Sequence, residues 1–232
     1  MIAVITYDAA HRKTQDLVYK LILNGYTAIQ LIVIPWTERA NYLPIYKHRP
    51  SNKVSITIDE FCVRLNLKFS RLEIGDINEY LIKNNFKHIL IGGAGILPED
   101  LSKNHKIINS HPGYLPNLKG LDALKWAIYY KQPIGVTTHY ISDKADEGEL
   151  IERVQVPLYF EDTFHNLSYR IYETEIDMLV NAIKMIENNK TILEALADDT
   201  FKANRRMPHH LENIMMIRFE DLRKNALSFK TI

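Results

Sequence analysis

The sequence has little cysteine, no long apolar run and almost no net charge. A single cysteine, Cys62, stands among 232 residues, so a framework of internal disulfides is excluded. No stretch approaches the roughly 18 apolar residues that a membrane span needs, and the apolar run at the N-terminus is too short for a signal peptide. We therefore expect a cytoplasmic protein without a membrane partner.

The charges balance almost completely, with 29 Lys and Arg against 28 Asp and Glu. A general nucleic-acid binder carries a clear basic excess, so nucleic acid is not an expected partner. The length of 232 residues is enough for one large domain with a real core, or for one domain with a small extension.

Short apolar runs alternate with segments of helical periodicity in the first half of the chain. Strands are predicted at 2–7, 28–36, 67–72, 88–98 (broken at Gly92 and Gly93) and 106–111, and helices at 14–23, 57–66 and 76–83, the last capped by Asp76. The interval 37–54 is predicted to be a polar loop. This alternation is typical of an α/β, Rossmann-like fold, whose mostly parallel sheet has helices on both faces. Ligands of such sheets bind beyond the carboxyl ends of the strands, an edge that we call the carboxyl edge.

The pattern changes after residue 120. A helix is predicted at 121–131, and then GVTTHYIS and ELIERVQVPL, joined by DKADEGE, predict a β-hairpin appended to the sheet. A long helix follows at 163–186. Residues 190–232 are predicted to be a mostly helical C-terminal extension in two runs, so the main domain spans 1–189.

The stretch NSHPGYLPNLKG places Asn109 and His111 where a strand ends. Its prolines restrict the backbone on both sides of Tyr114. Farther along, GVTTHYISDKADEGELI supplies His139 on a strand and Asp146 on the turn that follows. An amide donor, an imidazole and a carboxylate at one edge are the groups that acyl transfer to an amine needs, because an oxyanion must be stabilised and a proton removed.

The ordered set Asn109-Ser110-His111-Pro112, Leu115-Pro116, Gly120 and GVTTHYISDKADEGELI closely resembles the folate-dependent formyltransferases. That family includes glycinamide ribonucleotide transformylase, methionyl-tRNA formyltransferase and the sugar N-formyltransferases. The resemblance covers roughly residues 1–187 and makes 1–189 the catalytic domain. Family members usually have Ser where this chain has Gly113, a loop position that we expect not to touch the catalytic residues.

The resemblance implies a catalytic triad of Asn109, His111 and Asp146, with no metal. It also implies 10-formyltetrahydrofolate as the formyl donor. His139 is expected to support the loop rather than to react. The folate is expected to lie against two loops, whose residues are Ala94, Gly95, Ile96, Leu97, Lys144 and Ala145.

The first loop separates this chain from the purine-pathway enzyme, whose Gly/Ser/Asn-rich turn cradles a ribose phosphate. Here the loop reads YDAAHRKTQD, without glycine, and a helix start with added cations favours anions. A second basic cluster, YKHRPSN, follows the second strand. Both clusters together predict a site for a diphosphate, with the residues His11, Arg12, Lys13, Thr14, Lys47, His48 and Arg49. The predicted acceptor is a nucleotide-linked amino sugar, such as dTDP-4-amino-4,6-dideoxyglucose, used in lipopolysaccharide O-antigen synthesis.

Several alternatives stay open. The chain has the length of a glycinamide ribonucleotide transformylase, although its first loop differs. A metal-dependent hydrolase would use His111, His139 and Asp146 as ligands. A folate deformylase and a non-catalytic sugar-nucleotide binder are weaker alternatives. The sequence leaves open the sugar, the nucleotide, the position of the amine, a homodimer and the role of residues 190–232.

Overall fold

The computed structural model describes residues 1–36, 42–51, 56–191, 193–196 and 200–228. These residues form a seven-stranded sheet in the order β3-β2-β1-β4-β5-β6-β7. The strands are β1 (Ile2–Tyr7), β2 (Ile29–Ile34), β3 (Lys68–Arg71), β4 (His88–Ile91), β5 (Ile107–His111), β6 (Gly135–Ile141) and β7 (Gly148–Gln155). The first five strands are parallel, and β6 and β7 add an antiparallel hairpin beside β5. The predicted Rossmann-like fold is confirmed.

Helices cover both faces of this sheet. They are α1 (Arg12–Leu23), α2 (Ile58–Leu65), α3 (Ile77–Asn84), α4 (Glu99–Asn104), α5 (Ala123–Tyr130), α6 (Phe164–Glu187) and α7 (His209–Lys224). Alternate side chains of β1 point to opposite faces, so Val4 packs with α1, α2 and α6, whereas Ile5 packs with α3 and α4. Continuous burial along β1 and β2 follows from this two-sided cover. Within the described ranges, none of the helices is both long enough and apolar enough to cross a membrane.

Several predicted boundaries differ from the structure. The strand expected at 88–98 ends at Ile91, before the glycine pair, and the short helix α4 was not predicted. Asp76 occupies the N-cap position of α3, but its side chain caps nothing, because a 3₁₀ turn at Ile74–Asp76 holds it in helical backbone geometry. A side-chain cap requires extended geometry at that position. Part of the loop expected at 37–54 lies outside the described residues.

The C-terminal extension is less helical than predicted. Of its described residues, only those of α7 form a helix. Residues 193–196 run instead along the edge of β7, where Leu150 N donates to Glu194 O (2.7 Å) and Leu193 N donates to Leu150 O (2.9 Å). An exposed strand edge offers unpaired backbone groups, and pairing with them replaces the first expected helix. The domain boundary at residue 189 stays a prediction.

A buried ion pair holds α7 on α5. Lys125 Nζ donates to Glu212 Oε1 at 2.8 Å, and both side chains are fully buried. Glu212 also accepts from the Tyr42 hydroxyl (3.0 Å) and from Tyr46 N (2.9 Å). Burial alone would raise the pKa of Glu212, but the hydrogen bonds from Lys125 and Tyr46 hold that pKa below its ordinary value. The pair is satisfied on both sides, as a buried charge must be.

Replacing Glu212 with Ala leaves the ammonium of Lys125 buried without its partner. We expect the free energy of unfolding to fall by about 3–5 kcal/mol, measured by urea denaturation, because a buried charge stripped of its partner is strongly destabilising. The double variant Lys125→Met, Glu212→Leu is expected to recover much of this loss. Lys103→Ala, which breaks an exposed pair with Glu99, is the control and should change little. A Glu212→Ala protein as stable as the wild type would contradict this account of the pair.

Candidate active site

The end of β5 brings the predicted triad together. Asn109 and His111 are two residues apart on β5 and therefore share one face of the sheet. In the antiparallel pairing with β6, Asn109 lies opposite His139 and His111 lies opposite Thr137. The loop between β6 and β7 folds back so that Asp146 Oδ1 lies 3.1 Å from His111 Nδ1. The strand β5, the strand β6 and the loop after β6 thus bring Asn109, His111, His139 and Asp146 together.

Asp146 is fixed by its backbone as well as by its partner. Its φ of 56° lies in the left-handed region, which Asp tolerates better than most residues. Its second oxygen, Oδ2, accepts from Gly120 N at 2.7 Å. Burial would raise the pKa of Asp146, but the charge and hydrogen bond of His111 and the Gly120 N–H lower that pKa to about 2. Asp146 is therefore an ionised, positioned carboxylate at neutral pH.

His111 is a buried imidazolium. Its Nδ1 faces the Asp146 carboxylate, and its Nε2 lies 2.8 Å from the carbonyl oxygen of Leu118. Both partners only accept, so both ring nitrogens carry hydrogen. Burial lowers the pKa of His111, but the charge and hydrogen bond of Asp146 outweigh burial and raise the pKa above its ordinary value of 6.5.

The His111–Asp146 pair stabilises the folded protein over a defined pH window. The lowered carboxyl pKa contributes stability above pH 3.8, which is lost as the pH falls toward about 2. The raised imidazole pKa contributes stability below pH 6.5, which is lost as the pH rises through the folded-state value. Both contributions are complete between these two ordinary values.

Gly113 lies beside the imidazole of His111, so this position is not clear of the predicted triad as expected. A Cβ built at Gly113 would lie 2.6 Å from His111 Nε2 and 2.7 Å from Leu118 O. These distances are too short for a real side chain. The absence of the usual serine therefore allows the contact between His111 and the Leu118 carbonyl.

His139 holds the amide of Asn109. Its Nδ1 lies 3.1 Å from the carbonyl oxygens of Tyr140 and Glu147, so Nδ1 carries the hydrogen. Burial, and then the charge of His111, lower the pKa of His139 against the opposing charge of Asp146. The ring is neutral, and its free Nε2 is the acceptor that faces Asn109 Nδ2 at 3.5 Å. This geometry fits a supporting role for His139, which stays a prediction.

The two basic clusters meet at a carboxylate that sequence reasoning missed. Glu175 lies on α6 and is almost fully buried. Lys13 Nζ donates to its Oε1 at 2.7 Å, and Arg49 Nη1 donates to its Oε2 at 3.2 Å. Burial raises the pKa of Glu175, but Arg49 and Lys13 hold the pKa below its ordinary value. One signal was available: Glu175 stands between Tyr172 and Ile176 on the apolar side of a long helix.

The structure does not bring every predicted acceptor residue to this cluster. His11 and Thr14 are buried, with Thr14 Oγ1 2.9 Å from His11 Nδ1. A Cβ at Gly93 would lie 2.7 Å from the His11 ring, so the glycine that follows β4 makes room for the imidazole. Burial, and then Lys13 and Arg49, lower the pKa of His11 to about 4. His11 is thus a neutral buried group.

Three further predicted acceptor residues, Arg12, Lys47 and His48, have other surroundings. Arg12 Nε pairs with Asp16 Oδ2 at 3.3 Å, along α1, with both side chains partly exposed. Lys47 is exposed. His48 is half-buried, and its Nε2 lies 3.6 Å from Asp122 Oδ1. Lys13 and Arg49 are therefore the predicted acceptor residues that the structure joins through Glu175.

The predicted folate residues lie on two loops beside the end of β5. Ala94 and Leu97 pack on the core, whereas Ile96 is 82% exposed. Gly95 and, in the hairpin loop, Lys144 and Ala145 are exposed. Because β4 is the neighbour of β5 and the hairpin loop contacts His111, the loops border the triad. An exposed apolar side chain beside a polar cluster is suited to a flat aromatic ligand.

Comparisons with known proteins match the part of the chain that carries this site. Residues 88–183 match the family model described as formyl transferase. A trifunctional purine biosynthetic protein adenosine-3 of Chironomus tentans is 31% identical over 153 residues, which cover 64% of this chain and 10% of that protein. Its matches to four other curated relatives span between 8% and 47% of those proteins' lengths.

Solved structures agree on the fold. A sugar N-formyltransferase from Shewanella sp FDAARGOS_354 superposes with a TM-score of 0.62 at 17% identity, covering 94% of this chain and 87% of that one. The formyltransferase PseJ from Anoxybacillus kamchatkensis, solved with UDP-4,6-dideoxy-4-formamido-L-AltNAc and tetrahydrofolate, has a TM-score of 0.54 at 20% identity over 88% of this chain and 85% of that one. Phosphoribosylglycinamide formyltransferases reach similar scores. Residues 88–183, which carry Asn109, His111 and Asp146, match the formyl transferase family model, so the predicted resemblance is confirmed.

The raised pKa of His111 depends on Asp146. In Asp146→Asn, burial is no longer opposed by the carboxylate, so the pKa of His111 is expected to fall below its ordinary value of 6.5. An NMR titration of isotopically labelled imidazoles measures this shift. Asp143→Asn removes an exposed carboxylate from the same loop and should leave the His111 pKa where it is. The same His111 titration in Asp146→Asn and the wild type would contradict the pairing.

Proposed function

We propose that this protein is a 10-formyltetrahydrofolate-dependent N-formyltransferase whose acceptor is the amine of a nucleotide-linked amino sugar. The observation that carries the proposal is the cluster of Asn109, His111 and Asp146 at the carboxyl edge, with a charged imidazole 3.1 Å from an ionised carboxylate. The family match over 88–183 supports the reaction class.

The proposed reaction transfers one formyl group between two nitrogens. The acceptor amine attacks the formyl carbon, a new C–N bond forms, and the bond to N10 of the folate breaks. The amine loses a proton, N10 gains one, and the formyl oxygen carries negative charge in between. One hydrogen of the Asn109 amide is directed at His139, and the other is available to that oxygen.

His111 contributes its positive charge to the same oxygen. Its Nε2–H donates to Leu118 O, so direct donation to the formyl oxygen requires this N–H to leave the carbonyl. The charge acts even without this bond, because electrostatic attraction inside a water-poor site is strong. Asp146 keeps the ring charged and helps to accept the amine proton, directly or through water.

The donor is assigned from the family and from the two loops beside the triad. Formyl transferases use formyl-tetrahydrofolate, and the PseJ structure holds tetrahydrofolate. In this chain, the loop of Ile96 and the loop of Lys144 and Ala145 are proposed to hold the pterin, with the formyl group reaching Asn109.

The acceptor is assigned from the paired cations. Lys13 and Arg49 both pair with the buried carboxylate of Glu175. Two positive charges face one negative charge there, so the local net charge is positive. Arginine forms forked hydrogen bonds with phosphate, and Lys adds charge with less geometric demand. A diphosphate such as that of dTDP-4-amino-4,6-dideoxyglucose suits this arrangement, and the likeness to sugar N-formyltransferases supports it. Synthesis of a surface polysaccharide in the cytoplasm remains part of the proposal.

Glycinamide ribonucleotide is the second candidate acceptor. The purine biosynthetic relative favours it, whereas the first loop, YDAAHRKTQD, lacks the glycine-rich phosphate turn. The metal-dependent hydrolase needs His111 as a ligand, and both nitrogens of that ring are engaged, with Asp146 and with Leu118. No geometric observation favours the hydrolase.

Asn109→Ala removes the amide that is proposed to meet the formyl oxygen. We expect kcat to fall by roughly 100-fold or more, the typical cost of one lost oxyanion donor, with little change in the Kd of tetrahydrofolate. Steady-state kinetics and titration calorimetry measure the two quantities. Asn117→Ala is the matched control, since Asn117 lies in the loop after β5 and its amide donates to Gln132 Oε1 beyond α5. Wild-type turnover in Asn109→Ala would remove Asn109 from the mechanism.

A panel of acceptors tests the substrate class. With 10-formyltetrahydrofolate as donor and mass spectrometry as the readout, nucleotide-linked amino sugars are expected to show higher kcat/KM than glycinamide ribonucleotide, because two loops of cations suit a diphosphate. A tenfold preference for the ribonucleotide would make the amino-sugar assignment wrong. Release of formate without any amine would indicate the deformylase instead.

A further inference from the structure

The C-terminal extension holds the loop that carries the second basic cluster. His209 Nε2 lies 2.8 Å from Leu43 O, and the single hydrogen of the Tyr42 hydroxyl is shared between the Met207 carbonyl and Glu212. Glu212 accepts from both Tyr42 and Tyr46, as described above. Residues 42–46 are thus tied to residues 207–212 by backbone and side-chain bonds. The position of the neighbouring His48 and Arg49 depends on this attachment.

A buried aspartate joins the extension to the same loop. Asp122 Oδ2 accepts from Met207 N at 3.0 Å. Its other oxygen, Oδ1, is approached by His48 Nε2 at 3.6 Å and by Arg206 Nη1 at 3.9 Å. These distances are longer than those of hydrogen bonds, so neither His48 nor Arg206 is hydrogen-bonded to this oxygen of Asp122. His48 and Arg206 are neighbours around one oxygen.

His48 carries a polar atom that lacks a partner. Its Nδ1 is buried and makes no hydrogen bond within the described part of the chain. Most buried polar atoms are satisfied, and one that is not calls for an explanation. Burial, and then the charges of Arg49, Lys125 and Arg206, hold the pKa of His48 well below its ordinary value. The imidazole of His48 is therefore neutral, because it is buried and the charges of Arg49, Lys125 and Arg206 disfavour its protonation.

Arg206 is oriented but weakly paired. Its guanidinium lies over the Tyr42 ring, 5.6 Å from the ring centre, at cation–π distance. The side chain is 37% exposed, so a ligand can reach it. Together, Lys13, Arg49 and Arg206 supply three cations against the two carboxylates of Glu175 and Asp122. An anion is the ligand that this set favours.

We propose that Arg206, together with His48 and Arg49, binds the diphosphate of the acceptor, so that the C-terminal extension forms one wall of the acceptor site. This inference rests on the proposed function and deepens it. Because His48 Nδ1 has no exposed surface, a phosphate oxygen becomes the partner that this atom lacks only when the neighbouring side chains move as the acceptor binds. The negative charge of the phosphate favours the protonated ring. The fork of Arg206 takes further phosphate oxygens.

Binding of nucleoside diphosphates to the full chain tests the inference without relying on turnover. Calorimetry with dTDP and UDP compares the wild type with Arg206→Ala, Arg206→Lys and Arg205→Ala. We expect the Kd to rise about tenfold or more in Arg206→Ala, because a charged hydrogen bond is lost. The Kd of Arg206→Lys should lie between those of the wild type and Arg206→Ala, because lysine keeps the positive charge but lacks the forked donor group of arginine. Arg205 is the matched control, as its side chain is exposed in the same segment.

Two further readouts separate binding from a structural effect. The wild-type Kd should depend more steeply on salt than that of Arg206→Ala, because one fewer exposed charge contributes. In the formyl-transfer assay, Arg206→Ala should raise KM for the nucleotide sugar and leave both kcat and the Kd of tetrahydrofolate nearly unchanged.

The outcomes distinguish this inference from the proposed function. If the wild type binds diphosphates and Arg206→Ala behaves as Arg205→Ala does, the role of Arg206 is wrong and the proposed function stands. If the wild type binds neither dTDP nor UDP and prefers glycinamide ribonucleotide, the proposed acceptor is wrong and this inference falls with it.

Discussion

The contact between His111 and Asp146 is the constraint on which the candidate site depends. It depends on the hairpin beside β5, whose β6 pairs antiparallel to that strand, because the loop between β6 and β7 folds back and brings Asp146 to His111. The left-handed backbone of Asp146 and its hydrogen bond with Gly120 fix the carboxylate. The Leu118 carbonyl fixes the His111 ring through Nε2. The result is a cation held beside an amide, which suits the stabilisation of an oxyanion.

Much of this arrangement follows from local sequence. The apolar runs predict the parallel strands, and their carboxyl ends place Asn109 at one edge. The motif that contains Asp146 predicts a turn after a strand, as observed. These features depend on short-range periodicity and turn chemistry, which a sequence displays directly. The predicted roles of Asn109, His111 and Asp146 come instead from the resemblance to the folate-dependent formyltransferases, because periodicity and turn chemistry assign no catalytic role.

Other features depend on contacts between residues far apart in the chain. Glu175 lies more than a hundred residues from both Lys13 and Arg49, so no local pattern predicts that it joins them. The clash that requires glycine at position 113 depends on the orientation of the His111 ring. Segment 193–196 follows an open strand edge rather than its own helical preference, because tertiary pairing outweighs propensity.

The central claim is that the formyl oxygen is received at the end of β5. A crystal structure with tetrahydrofolate and the N-formylated product tests it most directly. The account predicts the formyl oxygen about 3 Å from Asn109 Nδ2, with the N–H of His111 turned from Leu118 O toward it. A formyl group bound away from Asn109 and His111, with that pair of side chains unmoved, would contradict the account.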